Sequence, residues 1–196
     1  MTDPRVERWL EALVETPGLT AVRDAAEARR LHVEDSLGAL EVVELFEGPI
    51  VDVGSGGGAP GIPLAAALPL REVTLLESKR RKCVFLERWT TEFPNLRVVC
   101  GRAEEQPVDS YGVAVAKALA PPPVAAEWCL PLVAPGGAVV LFVGPSIEAE
   151  RVAAVAERLA AKLAESPPGL LVLHKRGATP AGFPRRSGAA RKRPLA

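Results

Sequence analysis

The sequence predicts an α/β protein, a doubly wound and mostly parallel sheet of about seven strands, with extra helices at the N-terminus. Three observations carry that prediction. Short apolar runs alternate with helix-length segments along most of the chain. The first of these runs ends in a glycine-rich stretch, "IVDVGSGGGAPGIPLA", at residues 50–65. The chain has 196 residues, 48% of them hydrophobic, which is enough for one well-buried core and crowded for two.

Taken in order, residues 5–15 place Val6, Trp9, Leu10 and Leu13 at helical spacing, and 24–46 continue it with Leu37, Leu40 and Val43. A helical addition is therefore expected over residues 1–47. A Rossmann-like core follows over 48–176, with strands expected at 50–53, 72–76, 96–100, 112–116, 138–143 and 170–174. The segments 79–92, 122–132 and 146–165 have helix length, the last with Ser146 as N-cap. Parallel strands joined in this way need cover on both faces. Trp9, Trp89 and Trp128 fall among helically spaced apolar residues and are assigned to the core. Residues 177–196 form a basic C-terminal segment, and 1–196 reads as a single domain.

No apolar run approaches the roughly 20 residues of a membrane helix, and "MTDPRVERWLE" lacks the plan of a secretory signal. The expectation is a cytoplasmic monomer with no membrane partner. Cys83, Cys100 and Cys129 lie in separate segments, which suits neither a disulfide framework nor a metal site. They are expected to be small buried hydrophobes, and no metal is expected. The formal charge of zero hides an asymmetry, because residues 166–196 hold seven basic residues and no acidic one. A basic end on an acidic body points to a polyanion near the C-terminus, although a merely solvated tail would show the same composition.

In a sheet of this kind, ligands bind beyond the carboxyl ends of the strands, near the first glycine turn. The glycines read either as Gly54-x-Gly56-x-x-Ala59, a dinucleotide pattern, or as Gly54-x-Gly56-x-Gly58 after Asp52, the pattern of S-adenosylmethionine sites. Pro60 disfavours a helical conformation at Ala59 and delays the helix. Asp52 favours the second pattern, since a carboxylate there attracts an ammonium or a sulfonium and repels a pyrophosphate. Glu77 ends the next strand, 23 residues after Gly54, where an acid commonly accepts from ribose hydroxyls; a helix-capping carboxylate would stand at the same place. Arg102, Ala103 and Glu104 follow the third strand, where an adenine edge would lie. His32 and Asp35 are three apart and share a helix face, with Ser36 beside them.

At these residues the chain resembles the class I S-adenosylmethionine-dependent methyltransferases, and within them the small-subunit (16S) ribosomal RNA methyltransferase G family, also called glucose-inhibited division protein B. The resemblance runs from about residue 18 to 194 and rests on "LTAVRD" (19–24), "HVEDSL" (32–37), "GAPGIPLA" (58–65), "KRRKCVFLE" (79–87) and "GFPRRSGAARKRPL" (182–195). It implies methyl transfer from S-adenosylmethionine to N7 of a guanine in ribosomal RNA. It also implies a cofactor site made of Asp52, Gly54, Ser55, Gly56, Gly58, Pro60, Gly61, Glu77, Ser78, Ala103, Glu104 and Lys117, with Lys117 as the candidate catalytic side chain. Arg185, Arg186, Arg191, Lys192 and Arg193 are the expected RNA contacts, and removal of this tail is expected to spare cofactor binding.

Guanine N7 bears a lone pair and no proton, so its attack on a methyl group needs positioning more than a base. The chain also lacks the Asp/Asn-Pro-Pro-aromatic motif typical of exocyclic-amine methyltransferases, having "AKALAPPP" there. Three residues depart from the family pattern: Lys117 where Arg-Ala is expected to begin, Val143 where a Lys is expected, and Gly18 in place of an Asn. They keep open a same-fold methyltransferase with another substrate, or a catalytically weakened cofactor- and RNA-binding relative.

Overall fold

The computed structural model describes residues 3–144 and 147–196. Its sheet consists of β1 (Ile50–Val53), β2 (Val73–Glu77), β3 (Leu96–Cys100), β4 (Tyr111–Lys117), β5 (Val133–Phe142), β6 (Ala161–Leu163) and β7 (Leu170–Lys175). The seven strands lie in the order β3-β2-β1-β4-β5-β7-β6. β1 through β5 pair in parallel, whereas β7 runs antiparallel to both β5 and β6. The doubly wound, mostly parallel sheet expected from the sequence is therefore present, and its strand order reverses between β1 and β4.

Alternation along each strand builds two cores. Ile50, Leu75, Val113 and Val140 face one layer, formed by α1 (Pro4–Glu15), α5 (Gly61–Ala67) and α6 (Arg80–Glu87). Val51, Leu76, Ala114 and Leu141 face the other, formed by α7 (Pro122–Cys129), α8 (Ala149–Arg158) and α9 (Ala189–Lys192). Trp9, Trp89 and Trp128 are buried, as their spacing suggests. No helix among the described residues is long and apolar enough to cross a membrane.

Four expectations change. The stretch 24–46 is not one helix; it breaks into α2 (Ala25–Arg29), a π-helical turn (Arg30–Glu34), α3 (Asp35–Leu37) and α4 (Leu40–Glu44). β5 begins at Val133, earlier than expected, because Pro135, Gly136 and Gly137 are carried inside the strand. The helix expected over 146–165 ends at Arg158; Ala160 adopts a left-handed φ of +54°, and Ala161–Leu163 turns back onto β7. Tertiary pairing here overrides an alanine-rich sequence with high helix propensity. Ser146, the expected N-cap, lies outside the described residues.

The fourth correction concerns the cysteines. Cys83 and Cys100 form a disulfide, with Cα atoms 5.8 Å apart, and only Cys129 remains the free buried thiol that was expected of all three. Parallel pairing sets Cys100 beside Glu77, and α6, starting just after β2, returns Cys83 over that strand end. Seventeen residues of sequence hide the contact, which the strand-helix-strand crossover creates.

The N-terminal addition is tied to the glycine stretch. α1 opens with Asp3 as N-cap accepting from the Arg5 N–H, and its apolar stripe buries Val6, Trp9, Leu10 and Leu13. The Trp9 indole N–H donates to the Gly57 carbonyl at 2.9 Å. Trp9→Phe is expected to cost about 1 kcal/mol for the lost hydrogen bond, and Trp9→Ala roughly 3–5 kcal/mol, measured by urea denaturation. Equal stability of all three proteins would show that α1 does not hold the loop.

Candidate active site

The strand reversal between β1 and β4 opens a crevice beyond the carboxyl ends of the strands. Three adjoining hollows occupy it. The first, of about 290 Å³, is walled by Gly54, Ser78, Ala103, Glu104 and Trp128. The second, of about 220 Å³, is walled by His32, Gly54, Ser55, Gly56 and Lys117. The third, of about 660 Å³, is walled by Asp35, Lys117, Ala118, Phe142 and Val143. Gly54 belongs to the first and second, and Lys117 and Ala118 belong to the second and third.

Two glycines make the loop possible. Gly54 has φ +73°, and a Cβ there would run into the Leu119 side chain, so bare backbone forms the wall between the first two hollows. Gly61 lies against Asp52, whose Oδ2 would be 2.8 Å from an added Cβ. That approach lets Asp52 accept the Gly61 N–H at 3.0 Å and hold the first residue of α5.

Asp52, expected from the sequence to face a ligand, lies beneath the loop. Asp52 is 1% exposed and lines none of the three hollows, while its Oδ1 is buried without a hydrogen-bond partner. Burial pushes its carboxyl up to about 7, against the opposing pull of the Gly61 and Ser55 hydrogen bonds. Glu77 is likewise turned inward, accepting from the backbone N–H groups of Gly56 at 3.0 Å and Lys79 at 2.7 Å. Gly58, Pro60 and Gly61 are buried under the loop; Ser55, Gly56, Ser78, Ala103 and Glu104 reach the cleft as the sequence suggests.

Lys117 ends β4 at the junction of the second and third hollows. Its ammonium donates to the Leu31 carbonyl, lies 3.6 Å from Asp35 Oδ2 and sits 5.4 Å from the Phe142 ring centroid. Burial lowers its affinity for the proton, and Asp35 opposes that. Ala118 beside it holds a left-handed φ of +52°, a conformation costing on the order of 1 kcal/mol for a residue with a Cβ. His32, in the wall of the second hollow, contacts the Thr20 hydroxyl at 3.0 Å, and burial holds its ring below its ordinary proton affinity. The π-helical turn carries both the Leu31 carbonyl and His32 to the cleft.

The basic segment splits into two groups. Arg185 is engaged in a fork with Glu127, at 2.5 and 2.6 Å, and Glu127 is 3% exposed. Arg191 lies over the Trp128 ring, 5.1 Å from its centroid, and with Gly188 walls the first hollow. The Gly188 N–H donates to Glu104 at 3.1 Å. Arg186, Lys192 and Arg193 remain exposed. The tail thus builds part of the cleft, contrary to the expectation that the cleft is independent of it. Besides these tail residues, sequence reading also missed Leu119 and Trp128 as cleft residues, both of which follow β4. Periodicity gives no signal for them, because apolar residues at such places are common.

A model of the family described as "rRNA small subunit methyltransferase G" matches residues 6–167. The chain belongs to this family. The chain is 37% identical to Ribosomal RNA small subunit methyltransferase G of Synechococcus elongatus, over 90% of this chain and 82% of that one. It is 34% identical to the protein of the same name from Symbiobacterium thermophilum, over 97% and 86%. Among solved structures, a SAM-dependent O-methyltransferase from Thermotoga maritima superposes with a TM-score of 0.57 at 15% identity, over 75% of this chain and 66% of that one. That likeness is one of fold.

Members of this family use S-adenosylmethionine, and the cleft fits it. A nucleoside-sized hollow with an aromatic wall adjoins a second hollow, and bare backbone at Gly54 lies between them.

Three outcomes follow from this geometry. Asp52 is held above the ordinary carboxylate value of 3.8, so the folded state retains its proton more tightly than the unfolded chain. Its contribution is full below about pH 4 and is lost as pH rises to about 7. Asp52→Asn should therefore gain roughly 2–4 kcal/mol relative to wild type between pH 4 and pH 8. Chemical denaturation across that range checks this, and parallel curves would show that Asp52 is not so perturbed. Separately, Arg185→Ala leaves Glu127 buried without its partner and should cost roughly 3 kcal/mol. Truncation after Gly182 should weaken S-adenosylmethionine binding about tenfold by calorimetry, through loss of the Gly188 and Arg191 wall. Unchanged affinity would return the tail to a role apart from the cleft.

Proposed function

We propose that this protein transfers the methyl group of S-adenosylmethionine to N7 of a guanine in small-subunit ribosomal RNA, acting as a cytoplasmic monomer. The observation that carries the reading is the three-part cleft at the β1/β4 reversal in a chain of this family. The reading assigns the first hollow, with Ser78, Ala103, Glu104, Trp128 and Arg191, to the adenosine portion. It assigns the second, with Gly54, Ser55, Gly56, His32 and Lys82, to the methionine portion. Bound S-adenosylmethionine supplies a methyl group activated by a sulfonium.

The side chains do the rest by placement. Asp52 and Glu77 act from beneath, fixing the loop through backbone N–H groups, and both are positioning residues. Guanine N7 carries no proton, so no side chain has to remove one; the gain comes from holding the base in line. Lys117 stands where the second hollow meets the third and is anchored on the Leu31 carbonyl, which suits it to orient whatever enters the third. Its ammonium offers a point charge, without the fork of the Arg expected there.

The exposed Arg186, Lys192 and Arg193, with Lys79 and Arg80 at the start of α6, supply cations for the phosphate backbone. Ribosomal RNA from cells with and without the gene, mapped by mass spectrometry, should differ by one methylguanine in the small subunit. Identical maps would sink the reading. Replacing Arg186, Lys192 and Arg193 together by Ala should lower the slope of log affinity against log salt by roughly two to three units, with cofactor binding retained. An unaltered slope would remove the tail from the RNA interface.

A further inference from the structure

The third hollow is the part of the cleft that cofactor binding does not use. Its volume of about 660 Å³ exceeds that of either neighbour, and it opens to solvent beside Lys117. Its charges are unusual for a surface that meets nucleic acid. Glu34 and Asp35 stand on one side, and Lys117 is the cation opposite them. Two carboxylates repel phosphate, so the strand backbone is kept out of this hollow. What remains for it is the uncharged edge of a base.

Lys117 Nζ lies 3.6 Å from Asp35 Oδ2, too far for a hydrogen bond, and no other group among the described residues donates to the Asp35 carboxylate within bonding distance. The pair thus presents a donor and, beside it, open acceptors. We propose that the third hollow is the target-base pocket, in which Asp35 accepts from N1–H and N2–H of guanine while Lys117 donates to O6, so that this pair selects guanine. The proposal rests on the guanine N7 reading and deepens it.

The chemistry of the bases makes the pair selective. Around guanine the order is N2–H donor, N1–H donor, O6 acceptor, then N7. Asp35 followed by Lys117 matches the first three in sequence and turns N7 toward the junction with the second hollow, where Lys117 and Ala118 are shared. Adenine presents the reverse, an acceptor at N1 and a donor at N6, and so meets carboxylate with lone pair and ammonium with amine. Inosine keeps N1–H and O6 but lacks the N2 donor. Phe142 forms a wall 5.4 Å from Lys117 Nζ, giving the base an apolar face to lie against. Val143, in the rim and half-buried, adds no competing charge. The left-handed Ala118 holds the chain turn between the two hollows.

The test uses the full-length protein saturated with S-adenosylhomocysteine, to which GMP, IMP and AMP are titrated by saturation-transfer NMR. The wild type should prefer GMP to AMP by roughly fivefold to hundredfold, with IMP between them. Asp35→Asn should bring GMP down to the level of IMP or below, with S-adenosylhomocysteine affinity within about twofold and the melting temperature unchanged. Asp35→Glu, which keeps the carboxylate, should retain part of the preference. Equal binding of GMP and AMP by the wild type, or a GMP preference that survives Asp35→Asn, overturns the proposal. Methylation of small-subunit RNA by the same wild-type preparation separates the two failures. Transfer to guanine together with an unaltered preference sinks only the role of Asp35, and absence of transfer sinks the functional reading beneath it.

Discussion

The contact between the Asp52 carboxylate and the Gly61 N–H, sealed beneath the glycine loop, sets the shape of the cleft. β1 ends at Val53 and α5 starts at Gly61, so the residues between must turn back over the sheet without regular hydrogen bonding of their own. Asp52 fixes where that turn ends, and Glu77 fixes its middle through Gly56. A buried carboxyl is an expensive way to do this, as its elevated proton affinity shows. The bare backbone that this arrangement leaves at Gly54 faces two hollows at once.

Around that fixed loop, three segments remote in sequence complete the walls. α1 supports the loop from the side through Trp9 and Gly57. The π-helical turn brings the Leu31 carbonyl to Lys117 and so anchors the side chain that divides the second hollow from the third. The C-terminal segment closes the first hollow with Gly188 and Arg191, and is clipped in place by the Arg185–Glu127 fork. Each contact joins a cation or a dipole to a group that the core leaves short of partners. The additions at both ends of the chain are thereby parts of the cleft.

The same economy explains how the basic end is used. Of the seven cations after residue 165, Lys175 is fully buried and donates to Leu130 and Thr179, and Arg185 is matched by Glu127. Arg191 covers Trp128 while remaining exposed. Arg176, Arg186, Lys192 and Arg193 keep their charge toward solvent. A count of charges overstates the cations available to a polyanion, because formal charge carries no information on which groups are neutralised within the fold.

The sequence by itself determined the sheet, the place of the glycine turn and the family. Short continuous apolar runs and glycine spacing are local signals, fixed by backbone sterics and by which side chains avoid water, so they survive without knowledge of neighbours. It also named Lys117, Ser55, Ser78 and Ala103, which follow strand ends directly and reach the cleft. Tertiary structure alone decided that Asp52 and Glu77 point under the loop, that Cys83 meets Cys100, that Ala161–Leu163 is a strand, and that Arg191 and Trp128 share a wall. In each case the deciding partner lies on another element, brought near by crossovers whose packing no window of sequence records. Asp35 shows the division most plainly: spacing puts it on a face with His32, but only the fold sets its carboxylate 3.6 Å from a lysine more than eighty residues away.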